Sequence, residues 1–298
     1  MSQIAFLGVG AMGLGMATNL AKSGQRVIVY DVSAAAVARA AEAGCEPAGT
    51  AAEAVAAADV VITMLPAGSH VRQVYAETIV PHAAKGALVV DCSTIDVATA
   101  REVAAMAAAA GLRPADAPVS GGVMAAEAGT LAFMVGCDEA LFETVRQRLS
   151  PMARVAIHAG GAGAGQAAKI CNNMVLGISM LGVCEAFALA EKLELAPERF
   201  FEVASQSSGQ CWSLTSYCPW PGPVAAAPSN RGYEGGFLTQ LMLKDLKLAQ
   251  EAAAVAGAAT PLGAQAEALY ALFDRLGHGR KDFSAVLQML RGRLDELS

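Results

Sequence analysis

The feature that most constrains the fold is a run of glycines between an apolar segment and a helix-forming segment near the N-terminus. Residues 4–7 are apolar and predict a buried strand, residues 8–13 form a GxGxxG pattern, and residues 14–22 predict a helix. Residues 27–30 predict a second strand, and Asp31 follows it directly. This order of strand, glycine turn, helix, strand and acid is typical of a doubly wound α/β sheet that binds a dinucleotide.

Each glycine of the pattern has a physical role in such a turn. Gly8 allows the tight turn out of the strand, Gly10 lets the backbone approach the phosphates, and Gly13 lets the helix pack close to the sheet. Asp31 follows Gly8 at about the 20-residue spacing expected of an acid that accepts hydrogen bonds from the ribose hydroxyls. Because this carboxylate would repel a 2′-phosphate, the pattern predicts NAD as the cofactor. The predicted cofactor-binding residues of this segment are Gly8, Gly10, Ala11, Met12, Gly13 and Asp31.

Length and charge narrow the class of protein. At 298 residues the chain is long enough for two domains. It is 54% hydrophobic and 16% charged, against about 25% charged in typical soluble domains, so it can fill a large core. The formal net charge is −6 and the sequence has no basic run, which gives nucleic-acid binding little support. Four histidines are scattered without a ligand spacing and predict no metal site.

The cysteines and the apolar segments bear on the compartment. Seven cysteines occur without a CxxC pair, and Cys137, Cys171 and Cys184 lie in apolar patterns, which favours buried, reduced thiols. The first predicted strand begins at residue 4 and leaves no room for a targeting peptide, so we expect a cytoplasmic location. Residues 174–190 are apolar but shorter than the about 20 residues of a spanning helix, and predict a buried helix and no membrane contact.

The rest of the first half alternates strands and helices. Residues 58–65 and 86–92 predict continuous apolar strands, and alanine-rich helices are predicted at 34–43 and 99–110. Such strands indicate a parallel sheet covered on both faces, and ligands of these sheets bind at the carboxyl ends of the strands. The residues at the ends of these strands, Leu65 and Pro66 together with Ser93 and Thr94, are therefore expected to contact the cofactor.

The second half has a different character. Residues 131–135 predict another strand, and residues 118–122 predict a loop rich in exposed backbone amides. After a glycine run at 160–163, residues 164–193 predict one long helix, and helices continue to the end apart from a stretch rich in Pro and Gly at 218–236. We expect an NAD-binding Rossmann domain over residues 1–162. An all-helical substrate and oligomerisation domain is expected over residues 163–298.

The start of the long helix carries the candidate chemistry. Lys169 and Asn173 are four residues apart and so share one face of the helix. Apolar surroundings would lower the pKa of Lys169, which suits a general acid/base that works near neutral pH. A lone lysine on a helix edge more often extends its charge to solvent, and the residue pattern leaves both interpretations open. Lys244 lies in a Lys-Asp-Leu-Lys segment of a predicted helix, and by itself is typical of a surface charge.

Several segments in this order resemble the β-hydroxyacid dehydrogenase family, and most closely its 3-hydroxyisobutyrate dehydrogenases. Together they run through nearly the whole chain. The matching segments are residues 6–13, 91–95, 116–122, 165–173, 207–213, 219–222, 243–246 and 281–284.

The resemblance implies a role for each candidate residue. Lys169 would be the catalytic acid/base, and Asn173 would orient the substrate. The substrate carboxylate would be held by Ser120, Gly121 and Gly122. Thr94, Leu65 and Pro66 would contact NAD, and Lys244 would contact its nicotinamide end.

The resemblance also implies the reaction. The expected activity is the NAD-dependent oxidation of a small 3-hydroxy acid, foremost 3-hydroxyisobutyrate to methylmalonate semialdehyde, a step of valine breakdown. A dehydrogenase of serine or another 3-hydroxy acid, or a semialdehyde reductase, is the alternative within this class. A non-catalytic dinucleotide-binding module is the alternative outside it, and the presence of Lys169 argues against that. The low charge, the long apolar helix and the family habit favour a homodimer or homotetramer.

Overall fold

A nine-stranded sheet occupies the first half of the chain in the computed structural model, which describes residues 3–297. The strands are β1 (Gln3–Leu7), β2 (Arg26–Tyr30), β3 (Glu46–Pro47), β4 (Val60–Thr63), β5 (Leu88–Asp91), β6 (Arg113–Asp116), β7 (Val119–Ser120), β8 (Leu131–Gly136) and β9 (Ala153–Gly160). Neighbouring strands follow the order β3-β2-β1-β4-β5-β6-β8-β7, and β9 also pairs with β8.

The sheet is parallel from β3 to β6, which matches the predicted doubly wound arrangement. The order reverses between β1 and β4, which is the topological switch point where such sheets bind their ligands. The last residues of the strands at this point are in register, with Leu7 opposite both Tyr30 and Thr63, and Thr63 opposite Asp91. The residues that follow β1, β2, β4 and β5 therefore emerge at one edge of the sheet.

Helices cover both faces of this sheet. Alternate residues of β1 enter different apolar clusters, Ile4 and Phe6 in one and Ala5 and Leu7 in the other, because side chains of a strand point to opposite faces. The helices of this part are α1 (Ala11–Lys22), α2 (Ala34–Glu42), α3 (Ala51–Val55), α4 (Gly68–Val74), α5 (Val80–His82), α6 (Val97–Ala109), α7 (Gly122–Ala128) and α8 (Glu139–Leu149). A π-helical turn at Tyr75–Ile79 joins α4 to α5.

The second half is helical. A third apolar cluster fills it, with Met180, Phe187, Tyr270 and Phe283 among its buried members. Its helices are α9 (Ala164–Lys192), α10 (Pro197–Ser205), α11 (Trp212–Thr215), α12 (Thr239–Ala256), α13 (Pro261–Phe273) and α14 (Val286–Arg291). Three 3-10 turns lie at Pro228–Arg231, Phe283–Ala285 and Leu294–Leu297, and a π-helical turn lies at Asp274–His278.

The chain divides into two compact units, one that ends at Lys169 and one that begins at Ile170. The first contains the sheet and the second is helical, which confirms the predicted fold class. A domain boundary at residues 162–163 stays a prediction.

A buried cation fixes the C-terminal end of the helical unit. The Arg291 guanidinium donates to both carboxylate oxygens of Glu191, at 2.7 and 3.0 Å, and lies 4.3 Å above the ring of Trp220. Trp220 in turn stacks on Phe187 of α9. These contacts hold the segment rich in Pro and Gly, which is non-helical as predicted apart from one 3-10 turn, against the core of the helical unit.

Four predictions about local structure were wrong or incomplete. Residues 118–122 were expected to be a loop, but Ser120 pairs with β8 in strand β7 and Gly122 begins α7. Strand β9 had no counterpart in the predicted elements. Cys171 is exposed, although Cys137 and Cys184 are buried as expected. Only part of residues 174–190 is buried, since Val175 is 63% and Leu189 is 60% exposed.

Helix α9 is also long and apolar enough to span a membrane by length and composition. The core helix of a water-soluble domain passes the same test, so this property alone is weak evidence for membrane insertion.

Candidate dinucleotide and acid/base site

The glycine turn after β1 has the geometry that its sequence predicts. Gly8 has a φ of +96°, and a Cβ at this position would collide with the carbonyl oxygen of Met64. A Cβ at Gly13 would collide with the carbonyl oxygen of Gly8. Gly10 has nothing within 4 Å of the place that a Cβ would occupy. The turn is therefore tightly packed against the protein at Gly8 and Gly13 and open at Gly10, where the phosphates of a ligand could approach the backbone.

The N-terminus of α1 fits an anionic group. Gly10 is the N-cap of this helix and has no side chain to accept from the first-turn amides. The first turn, which includes Ala11 and Met12, carries no acidic residue. The free N–H groups of a helix start, together with its dipole, favour a phosphate at this position. The residues present thus fit the pyrophosphate of a dinucleotide.

Asp31 is held beside the glycine turn by two backbone amides. The Val9 N–H donates to Oδ2 at 2.9 Å, and the Ser33 N–H donates to Oδ1 at 2.8 Å. The side chain is partly exposed, so its remaining lone pairs can accept from a ligand. A carboxylate fixed at the end of β2 in this way fits the hydroxyls of a ribose.

The loops after β4 and β5 are joined by a buried hydrogen-bond chain. The Leu65 N–H donates to Ser93 Oγ at 2.8 Å, and that hydroxyl donates to Asp91 Oδ1 at 2.6 Å. Thr63 Oγ1 also donates to Asp91 Oδ1, at 2.6 Å. This chain fixes Leu65, the exposed Pro66 and the half-buried Thr94 at the sheet edge where the glycine turn lies.

Ser120, Gly121 and Gly122 lie in the same unit, on a segment that packs against the first helix. Gly121 has a φ of +135° and precedes α7, which lies against α1. Asn19 Nδ2 of α1 donates to the carbonyl oxygen of Ala126 in α7 at 2.7 Å. Because α7 packs on α1, the segment that contains Ser120, Gly121 and Gly122 is held against the helix that begins at the glycine turn.

Lys169 lies in the second turn of α9 and is only 6% exposed. The carboxylate of Asp116 holds the start of this helix, and Gln166 ties it to the loop after β5. Sequence reasoning gave neither Asp116 nor Gln166 a role. Their only signal was that both fall within segments of the family resemblance, because their partners lie far away in the chain.

Two predicted residues lie in the helical unit. Asn173 is 1% exposed, and its Nδ2 donates to Asp245 Oδ2 at 2.5 Å. Lys244 is half-buried on α12, next to Asp245. Asp245 was given no role from the sequence. Its position three residues after Met242, on the apolar stripe of the helix, could have indicated a buried carboxylate.

The fold and these groups define a class, the Rossmann-type dinucleotide-binding oxidoreductases. Within residues 3–297, no group of three His, Cys, Asp or Glu side chains could hold a metal ion. Comparison with family models is consistent with this class. Residues 3–161 match the NAD binding domain of 6-phosphogluconate dehydrogenase. Residues 163–290 match a domain described as NAD-binding of NADP-dependent 3-hydroxyisobutyrate dehydrogenase.

Similar proteins cover nearly the whole chain. A probable 3-hydroxyisobutyrate dehydrogenase of Mycobacterium tuberculosis is 49% identical over 99% of this chain and 100% of its own length. An NAD-dependent L-serine dehydrogenase of Pseudomonas aeruginosa is 47% identical over 97% of this chain and 98% of its own. A solved structure of the Mycobacterium tuberculosis 3-hydroxyisobutyrate dehydrogenase with L-serine superposes with a TM-score of 0.95 at 49% identity, over 98% of this chain and 99% of that one.

The chain belongs to the 3-hydroxyisobutyrate dehydrogenase family. It is an NAD-dependent dehydrogenase that acts on a CH–OH group. The predictions of family, enzyme class and cofactor are therefore confirmed. The roles of the individual site residues stay predictions.

Proposed function

We propose that this enzyme oxidises 3-hydroxyisobutyrate to methylmalonate semialdehyde, a step of valine breakdown, and that Lys169 is its general acid/base. The observation that carries the proposal is the buried position of Lys169 at the start of α9, in the unit whose strand ends form the dinucleotide site. Lysine is one of the side chains that act as a general acid or base in enzymes, and this one lies out of contact with bulk water. The resemblance of the segment around it to the family supports the same assignment.

In this proposal different residues bind the substrate, orient it and transfer its proton. Ser120, Gly121 and Gly122 hold the substrate carboxylate through a hydroxyl and backbone N–H groups. Asn173 orients the substrate, and its own amide is oriented by Asp245. Lys169 Nζ removes the proton of the substrate hydroxyl.

NAD, when bound, supplies the hydride acceptor. The residues that would hold it are Gly8, Gly10, Ala11, Met12, Gly13, Asp31, Leu65, Pro66, Thr94 and Lys244. In this proposal residues 1–162 form the cofactor-binding domain. Residues 163–298 form the substrate and oligomerisation domain.

The test is a substrate panel followed by absorbance at the NADH band, with wild type and Lys169→Ala. The panel contains both enantiomers of 3-hydroxyisobutyrate, both of serine, 3-hydroxypropionate and threonine. General acid/base catalysis contributes about 10²–10⁴-fold, so kcat of Lys169→Ala should fall by that factor while the Kd of NADH changes little. Lys192→Ala, an exposed lysine in the last turn of the same helix, is the matched control. Turnover of Lys169→Ala within a few-fold of wild type would contradict the acid/base role.

Serine is the second candidate substrate. It is favoured by the 47% identity to the L-serine dehydrogenase and by the solved relative that holds L-serine. The ratio of kcat/KM for 3-hydroxyisobutyrate to that for serine decides between the two. A ratio above ten supports 3-hydroxyisobutyrate, and a ratio below one makes the enzyme a serine dehydrogenase.

We also propose that the chain forms a homodimer or homotetramer in the cytoplasm. Val175, Leu189 and Leu193 are 63%, 60% and 69% exposed, and their spacing along α9 and its end places them in one stripe. All seven cysteines, which lie within residues 3–297, are free thiols, as suits a reducing compartment. Light scattering coupled to size exclusion should give an oligomer, and Leu189→Arg should shift it towards the monomer. A monomeric wild type would contradict this assembly.

A further inference from the structure

The start of helix α9 is held by a buried carboxylate from the sheet. Asp116, the last residue of β6, accepts from the Gly163 N–H at Oδ1 (2.7 Å) and from the Gln166 N–H at Oδ2 (2.8 Å). A Cβ at Gly136 would collide with Oδ1 of this carboxylate. A Cβ at Gly165 would collide with the Met134 carbonyl oxygen and lie 2.7 Å from Oδ2. Two glycines are thus needed for the helix to reach the carboxylate.

A second anchor ties the same turn of α9 to the loop after β5. Gln166 Nε2 donates to the carbonyl oxygen of Ser93 at 2.7 Å, and its Oε1 accepts from the Ile95 N–H at 3.2 Å. Gln166 is fully buried, so these bonds are not exchanged with water. Thr94, the predicted cofactor contact, lies between the two backbone groups that Gln166 binds.

The two anchors fix both the depth and the rotation of the helix start. A carboxylate at the helix end limits movement along the axis, and a side-chain contact with a loop limits rotation about it. Lys169 follows Gln166 by three residues and therefore lies on the same side of the helix. The Lys169 amine therefore extends from a helix whose position relative to the loop at Thr94 is fixed by two anchors, Asp116 and Gln166.

We propose that Asp116 and Gln166 are positioning residues that hold Lys169 in place relative to the cofactor-contacting loop at Thr94. This inference rests on the proposed function, in which Lys169 transfers the proton. A displacement of about 1 Å at a reacting group can reduce the rate by about 10²-fold, so such anchors matter to catalysis even where they never touch substrate.

A merely structural cap would not need this arrangement. Helix α6 of the same unit is capped by Asp96, a partly exposed side chain that accepts from the Thr99 N–H at 2.7 Å. Asp116 instead lies in the interior, and desolvation raises its pKa to about 6 against the opposing effect of its two amide bonds. The neighbouring Asp91 also raises this pKa, and Tyr75 and Cys137 lie close enough to feel the Asp116 charge. The nearby cation is Arg101, whose Nε lies 3.1 Å from the place that a Cβ of Gly163 would occupy. Burial of a carboxylate costs free energy that an exposed cap such as Asp96 avoids. We therefore expect a buried cap where the position of the helix on the sheet must be fixed.

The experiment compares Asp116→Asn, Gln166→Met and the control Asp96→Asn with wild type. We expect kcat of the first two to fall about 10- to 100-fold, with the Kd of NADH, followed by its fluorescence, within twofold. The solvent deuterium isotope effect on kcat should rise in both, because proton transfer becomes slower. Asp96→Asn also removes a capping carboxylate from this unit, and it should keep wild-type values.

The outcomes separate this inference from the proposed function. If Lys169→Ala loses turnover but a folded Asp116→Asn variant keeps its kcat within twofold of wild type, the positioning role is overturned and the proposed function stands. If Lys169→Ala keeps its turnover, the acid/base role of Lys169 in the proposed function fails, whatever the result for Asp116→Asn. Should Asp116→Asn not fold, Gln166→Met decides, and a wild-type kcat and isotope effect in that variant would overturn the role. Equal losses in Asp96→Asn would also overturn it.

Discussion

Protonation of Asp116 is expected to stabilise the folded enzyme, which is the opposite of the behaviour of an ion-paired carboxylate. Burial raises its pKa from 3.8 to about 6, although the amides of Gly163 and Gln166 act in the other direction. Because the folded state then binds the proton at Asp116 more tightly than the unfolded state, the contribution of this group to stability is largest below pH 3.8 and decreases as the pH rises through 6. The shift corresponds to about 3 kcal/mol, of which about 2 kcal/mol falls between pH 4 and pH 7.

The assay is urea unfolding of wild type and Asp116→Asn between pH 4 and pH 7 at one protein concentration. Both tryptophans, Trp212 and Trp220, lie in the helical unit, so far-UV circular dichroism and hydrogen exchange of β6 are the appropriate probes. The difference in unfolding free energy, wild type minus variant, should decrease by about 2 kcal/mol over this range. The other titrating groups are common to both proteins and cancel. A flat difference, or one that rises with pH, would refute the reasoning.

Three further predictions concern other residues. Asp31→Asn should reduce the preference for NAD over NADP in kcat/KM at least about tenfold, since a negative charge near the 2′-phosphate is removed; an unchanged ratio would contradict the role of Asp31. Asp245→Ala leaves the buried Asn173 amide without its carboxylate acceptor, and should raise KM for the hydroxy acid about tenfold with KM for NAD unchanged, in steady-state kinetics. Arg291→Met breaks the buried ion pair with Glu191 and should lower the unfolding free energy in urea by about 3 kcal/mol. Arg199→Met breaks an exposed ion pair and should change the unfolding free energy by less than about 1 kcal/mol. Equal effects of the two substitutions would contradict the importance of burial.

Features that depend on a short stretch of sequence could be predicted well. The glycine turn needs only the spacing of Gly8, Gly10 and Gly13 between a strand and a helix, and the structure shows that Gly8 and Gly13 have no room for a side chain. Helix α9 was predicted over 164–193 and extends over Ala164–Lys192, because a long run of helix-forming residues begins after a glycine run. The spacing of Lys169 and Asn173 on one helix face was visible in the sequence, whereas the role of Ser120 in holding the substrate carboxylate came only from the family resemblance.

Features that depend on distant partners could not be predicted. Residues 118–122 look like a loop in sequence, yet Val119 and Ser120 form a strand because β8 offers them a partner. Asp116 binds amides about fifty residues later in the chain, and Asn173 binds Asp245 at a still greater separation. The exposed stripe of α9 carries the same apolar residues as its buried faces, so composition alone could not separate the two.

The polar residues of α9 explain why its first turns are built differently from the rest. Gln166, Lys169 and Asn173 are all buried there, whereas the later turns bury apolar side chains. Buried polar groups are tolerated only when each has a partner of defined geometry, so they fix one arrangement where apolar contacts would allow several. The carboxylate of Asp116 adds an electrostatic penalty to this requirement above pH 6. A helix start that carries such a penalty is expected where the position of one side chain matters more than stability, and in the proposed function that side chain is Lys169.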